Sequence, residues 1–151
     1  MTSRNLGSKL NGECGVYAAA GRGFIQEGII NVGHEHLDPK EKFKVKAGEC
    51  EKAACYADSA VWVCNDDKGA EVQVSPPEIW ESAQTILDAC CHTSVRAGTY
   101  MSPVHGKHTR PGAKWTAVVA ASVCGQNGGP DKFVYLGQNR QVCEVEKKTP
   151  S

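Results

Sequence analysis

Ser75-Pro76-Pro77-Glu78-Ile79-Trp80-Glu81-Ser82-Ala83-Gln84-Thr85-Ile86-Leu87-Asp88-Ala89-Cys90-Cys91 joins a helix-start signal to a run of regularly spaced apolar residues. Serine before two prolines places a capping hydroxyl at the N-cap and proline in the first turn, where a missing N–H costs nothing. Glu78 stands at N3, positioned to reach back to the N-cap amide. Ile79, Trp80, Ala83, Ile86, Leu87, Cys90 and Cys91 then recur at the i, i+3, i+4, i+7 spacing of one helix face. This predicts an amphipathic helix over about 76–92 that must cover something apolar.

The flanking sequence supplies the partner. Ala53–Ala57 and Ala60–Asn65 read as a hairpin turning at Asp58-Ser59, the second arm carrying the β-prone run Val61-Trp62-Val63-Cys64. Trp115 to Cys124 is the longest candidate strand, with Trp115, Ala117, Val119, Ala121 and Val123 on one face. Gly125–Pro130 is a turn cluster, and Lys132–Leu136 with Gln141–Glu146 suggest a last hairpin. A second helix is expected over about 22–32, with Phe24, Ile25, Gly28, Ile29 and Val32 on one side, followed by a polar connection from His34. The expected class is α+β: a two-layer sandwich of two helices on an antiparallel sheet, one domain over residues 1–151.

Composition narrows the function classes. Of 151 residues, 40% are hydrophobic, enough for a core, and lysine plus arginine equal aspartate plus glutamate at seventeen each. A chain with no net charge lacks the basic excess expected of a nucleic-acid binder. Its eight cysteines, Cys14, Cys50, Cys55, Cys64, Cys90, Cys91, Cys124 and Cys143, are even in number and spread along the chain. Zinc sites favour paired Cys-x2-Cys spacings, and none occurs, so disulfides are the expected chemistry and no metal or cofactor is called for. Spacing alone leaves their connectivity open. On a regular helix Cys90 and Cys91 point about 100° apart and should reach different partners. A helix lying on the sheet makes Cys55, Cys64 and Cys124 natural candidates.

Disulfides persist in oxidising compartments, so a secreted, extracellular protein is expected. The first eight residues contain no apolar signal-peptide core, which reads as a chain beginning near its mature N-terminus. No apolar run approaches the roughly 18 residues of a membrane span, and Asn-x-Ser/Thr is absent. A monomer that does not insert into membranes is expected.

Gly48-Glu49-Cys50-Glu51-Lys52-Ala53-Ala54-Cys55, then Ala60-Val61-Trp62-Val63-Cys64, the helix from Ser75 to Cys91, Gly98 and the strand Trp115–Val119 together resemble the fungal KP4-like killer-toxin family. The resemblance covers about half of the chain. It implies a fungal secreted toxin or plant-associated effector, an α/β-sandwich and no enzymatic activity. A lysine that matters for some members falls near Ala53, which singles out Lys52.

Few residues suggest catalysis. His34 and His36 flank Glu35 in a spacing that can ligate metal, but a solvated connection is the simpler reading. His105 and His108, with Glu78 or Glu35, could run acid–base cleavage of RNA if they met at one phosphate. The distinctive feature is local charge: residues 91–129 hold no acid, while Arg96, Lys107, Arg110 and Lys114 lie there. Read as a long basic loop over 96–114, this is the expected contact surface, with Lys52 beside it. The expected function is therefore a secreted toxin or effector that binds a host or competitor protein, such as a membrane channel. A small RNase-like hydrolase and a cell-wall polysaccharide-binding protein are the alternatives. Trp62, Trp80 and Trp115 are expected in the core.

Overall fold

The computed structural model describes residues 10–90 and 103–130. Five strands form the main sheet in the order β1-β8-β9-β5-β4, every pairing antiparallel. These are β1 (Gly12–Cys14), β4 (Cys50–Tyr56), β5 (Ser59–Asn65), β8 (Gly106–Thr109) and β9 (Trp115–Ala121). Two small ribbons flank it: β2 (Ala20–Gly21) with β7 (Pro103–Val104), and β3 (Phe43–Val45) with β6 (Val72–Val74). With two helices on one face, the α+β two-layer expectation holds.

The decisive helix, α2, spans Pro76–Ala89. Ser75 is its N-cap, but no side-chain hydrogen bond caps it. Instead the Ser75 carbonyl accepts the amides of Glu78 and Ile79, at 2.9 and 3.3 Å. The proline at the start has removed donors that the hydroxyl would otherwise serve. The helix also stops earlier than its stripe predicts. Cys90 has left helical dihedrals (φ −107°, ψ 76°), and its sulfur is bonded to Cys14 on β1. The first helix, α1, covers Arg22–Ile25 and widens into a π-helical turn over Gln26–Ile30. It buries Ile25 and Ile29 completely. Arg22 Nη1 donates to the Leu87 carbonyl near the end of α2 at 2.6 Å, where orphan carbonyls and the helix dipole both favour a cation. Gln26 and Gln84 exchange amide hydrogen bonds at 2.8 and 2.9 Å, tying the two helices together.

Alternation along β5 and β9 divides the core. Val61, Val63, Trp115, Ala117 and Val119 meet Ile79, Ala83, Ile86 and Leu87 under the helices. Ala60, Trp62, Val118 and Ala120 form a second cluster on the opposite face, with Tyr17, Cys50, Cys55 and Cys64 against it. The predicted face of β9 thus holds through Val119. The strand ends at Ala121, and Val123 is 55% exposed. Trp62 and Trp115 are buried as expected, while Trp80 is half-buried against the core and the His36 ring. The β4–β5 turn is Ala57-Asp58, one residue earlier than read, both residues at positive φ (51° and 58°).

Three disulfides join described residues: Cys14–Cys90, Cys50–Cys64 and Cys55–Cys124. Cys90 does reach a strand cysteine, but the partner is Cys14, not one of the three candidates. Cys55 and Cys64 pack with the cluster on the face away from the helices, so neither points at α2. Cys91 and Cys143, Arg96, and the hairpin expected over 132–146 lie outside the described residues. Among the described helices none is long and apolar enough to cross a membrane.

Candidate functional site

The expected basic loop is not a loop where it is described. Residues 106–109 form β8, held between β1 and β9 by ladders on both sides. The acids missing from the local sequence arrive from elsewhere in the chain. Lys107 Nζ lies 3.9 Å from Glu13 on β1, Arg110 Nη1 3.2 Å from Glu81 on α2, and Lys114 Nζ 3.8 Å from Asp67. Each pair is at the surface, where such contacts contribute about 0–1 kcal/mol. Their effect on recognition is larger than on stability, because they remove the uncompensated positive field that motivated an acidic partner.

Lys52 and Lys107 share the face opposite the helices. The register aligns Glu13, Lys107, Val118, Trp62 and Lys52 in one row across all five strands. At about 4.8 Å per strand, the two lysines stand about 14 Å apart along it. Lys52 Nζ sits 5.2 Å from the centre of the Trp62 ring, a cation–π distance. It also donates to the carbonyls of Val123 and Gln126, at 3.1 and 2.7 Å. Lys52 therefore pins the segment after β9 across this face, and its ammonium is already engaged.

Arg110 has a different setting. It stands with Glu81 at the rim of a groove of about 350 Å³ between α2 and the strand end of β8. Ser82, Thr85, Asp88 and Ala89 form the helix wall, and His108 and Pro111 face them. The walls are fixed to one another. Cys14–Cys90 ties β1, the neighbour of β8, to the end of α2. Gly106 makes the close approach possible, since a Cβ there would stand 3.0 Å from Cys90 Sγ and 2.9 Å from the Glu13 carbonyl. Ser82 is 2% exposed, and its hydroxyl has no hydrogen-bond partner. The Thr85 hydroxyl bonds the Glu81 carbonyl one turn back, and Gln84 donates to Asp88 at 3.0 Å.

His108 is 6% exposed, and the backbone N–H of Asn11 donates to its Nδ1 at 3.2 Å. An Nδ1 that accepts leaves the neutral ring's proton on Nε2. Burial, with the Arg110 guanidinium adding to it, holds the His108 pKa below the ordinary 6.5. The ring is thus a fixed, neutral donor at the groove. Neither nitrogen has a free lone pair with which to take a proton.

The other histidines do not join it. His105 is fully buried, with Nδ1 2.9 Å from the Tyr17 carbonyl. His34 is exposed beside Glu35, and His36 Nε2 meets the Gly28 carbonyl at 2.9 Å. Among the described residues no three of His, Cys, Asp and Glu gather as metal ligands would. Of the residues singled out from sequence, the groove brings together only Arg110 and His108. Glu81 and Asp88 gave no signal because they lie on the polar side of an amphipathic stripe, and Ser82 gave none because it is a lone small polar residue on the buried side, between Ile79 and Ile86. No protein-family model matches this chain, and no curated protein or solved structure matches it.

Proposed function

We propose that this chain is a secreted binding protein of the toxin or effector type, acting on an extracellular or membrane-exposed target of a host or competitor cell and not by catalysis. The observation that carries this reading is the state of His108. A general base needs an accessible lone pair within reach of the proton it takes. His108 has one nitrogen protonated and the other accepting a backbone N–H, a design suited to holding a ligand. The disulfides support the extracellular part, since such bridges persist in oxidising surroundings. A groove with fixed walls supports binding further, because a pre-ordered site loses little entropy on association.

Incubation with single-stranded RNA and with target cells tests the reading. The intact protein is expected to leave RNA uncut and to bind cell surfaces saturably. RNA turnover abolished by His105→Ala or His108→Ala would establish the hydrolase instead.

A further inference from the structure

We infer that residues 122–130 form a strap over the Trp62 face of the sheet, clasped by Cys55–Cys124, and that thiol reduction of this bridge opens it. The segment follows β9 and belongs to no strand or helix. With Ala18, Asp58, Trp62 and Ala121 it bounds a cavity of about 340 Å³ on the side away from the helices. Polar contacts at the surface help to hold it there. Lys52 Nζ donates to the carbonyls of Val123 and Gln126. The Asp58 carbonyl accepts the Ser122 amide, and its carboxylate accepts the Cys124 amide. Val123 is 55% exposed, and a Cβ on Gly125 or Gly128 would meet nothing within 4 Å. Segments with exposed hydrogen bonds and little buried apolar surface lie at the low end of local stability. On the sheet side of the cavity, Trp62 is buried, and its indole N–H has no hydrogen-bond partner. A buried donor left unsatisfied costs stability, a penalty that water reaching the indole would remove.

The three bridges differ in access and in what they join. Cys124 is exposed and Cys55 half-buried, so a thiolate can approach Cys124 Sγ from solvent. Cys90 is fully buried, and a Cβ on Gly106 would stand 3.0 Å from its sulfur. Its amide is held by the Ile86 carbonyl, so α2 keeps that residue in place without the bridge. Cys50 and Cys64 are half-buried and directly opposite in the β4–β5 ladder, whose backbone pairing outlasts the loss of their bond. Cys55–Cys124 instead joins the sheet to the irregular strap. Its reduction proceeds in two exchanges. A thiolate attacks Cys124 Sγ, the bond between the two sulfurs breaks, and Cys55 leaves as a thiolate that takes up a proton. A second thiol of the reductant then displaces Cys124, which gives two cysteine thiols and the reductant's own disulfide. In oxidising surroundings the strap stays closed. Against a glutathione-type monothiol or a protein dithiol it opens, frees Lys52 and uncovers the Trp62 side of the cluster.

Graded reduction of the intact, native protein with glutathione and with dithiothreitol tests this. Free thiols are trapped with iodoacetamide and located by peptide mapping, and the singly reduced species is followed by NMR. Cys55–Cys124 should open at least about tenfold faster than either of the other two bridges, because access sets the rate of attack. In the singly reduced protein the amides of Ser122, Cys124 and Gln126 and the Trp62 indole N–H should exchange rapidly with water. Strands β5 and β9 should keep their cross-strand nuclear Overhauser contacts. Any of three results overturns the strap: another bridge opens first, these amides and the indole stay as protected as in the oxidised protein, or β5 and β9 come apart with the strap. The last would make Cys55–Cys124 a staple of the whole fold. None of these readouts depends on the groove between α2 and β8, so the strap stands or falls separately from the binding-protein reading.

Discussion

Asn11 donates its backbone N–H to Nδ1 of His108 at 3.2 Å, and this contact between an N-terminal segment and a strand 97 residues later decides which imidazole nitrogen the groove presents. It also ties protonation to folding. The folded state holds His108 neutral and its pKa below 6.5, so the unfolded chain takes up the proton first as pH falls. The associated stability is complete above about pH 6.5, declines below it, and levels off once pH passes the depressed folded value. Urea midpoints measured from about pH 8 to about pH 5 should fall more steeply for the wild type than for His108→Gln. Parallel curves would show that His108 is not the titrating group.

The disulfides should differ in worth. Cys14–Cys90 and Cys55–Cys124 close separations of 76 and 69 residues, Cys50–Cys64 only 14. On chain entropy, removing either long bridge as a double alanine variant should cost about 4 kcal/mol, and the short one about 3. Non-reducing peptide maps should return these three links, and thiol titration of the full chain should find no free cysteine. A map joining Cys90 to Cys91 would contradict the fold at the end of α2.

Much of this fold is legible in the sequence because it is written in periodicity. The stripe from Ile79 to Leu87 fixes α2, and the alternation of Trp115, Ala117 and Val119 fixes the helix side of β9. Two strands at one side of the sheet, β1 and β8, are not legible. Gly12-Glu13-Cys14 and Gly106-Lys107-His108-Thr109 contain glycine and charge where strands favour branched and aromatic residues. They are strands because β9 offers an open edge and because Gly106 lets Cys90 approach. The charge reading misled for a related reason. Local sequence shows cations without acids, whereas Glu13, Glu81 and Asp67 are brought to them only by folding.

The β4–β5 turn carries strain that a substitution can relieve. Ala57 sits at φ 51°, in the left-handed region that costs a residue with a Cβ roughly 1–2 kcal/mol. Ala57→Gly should raise stability by about 0.5–1 kcal/mol after the loss from a more flexible unfolded chain. A lower denaturation midpoint would mean that the Ala57 side chain makes a contact worth more than the strain. Asp58 is the poorer choice, since its carboxylate accepts the Cys124 amide at 3.3 Å.

Lys107 and Arg110 lie in exposed pairs, so the double alanine variant should keep its stability within about 1 kcal/mol by chemical denaturation. The two residues should separate in function. Arg110→Ala should reduce cell binding because it lines the groove, whereas Lys107→Ala, on the opposite face of the sheet, should not. Equal losses from both would point to general charge attraction, and added salt would then abolish binding in each.

Binding to target cells should run through the groove between α2 and β8. The most direct measurement is the saturation curve of fluorescently labelled protein on intact target cells, for the wild type and for Ser82→Ala/Arg110→Ala, with native disulfides verified in both. Wild-type binding should be saturable, and the variant should lose at least about tenfold in apparent affinity. Superimposable curves for two equally folded proteins would contradict it.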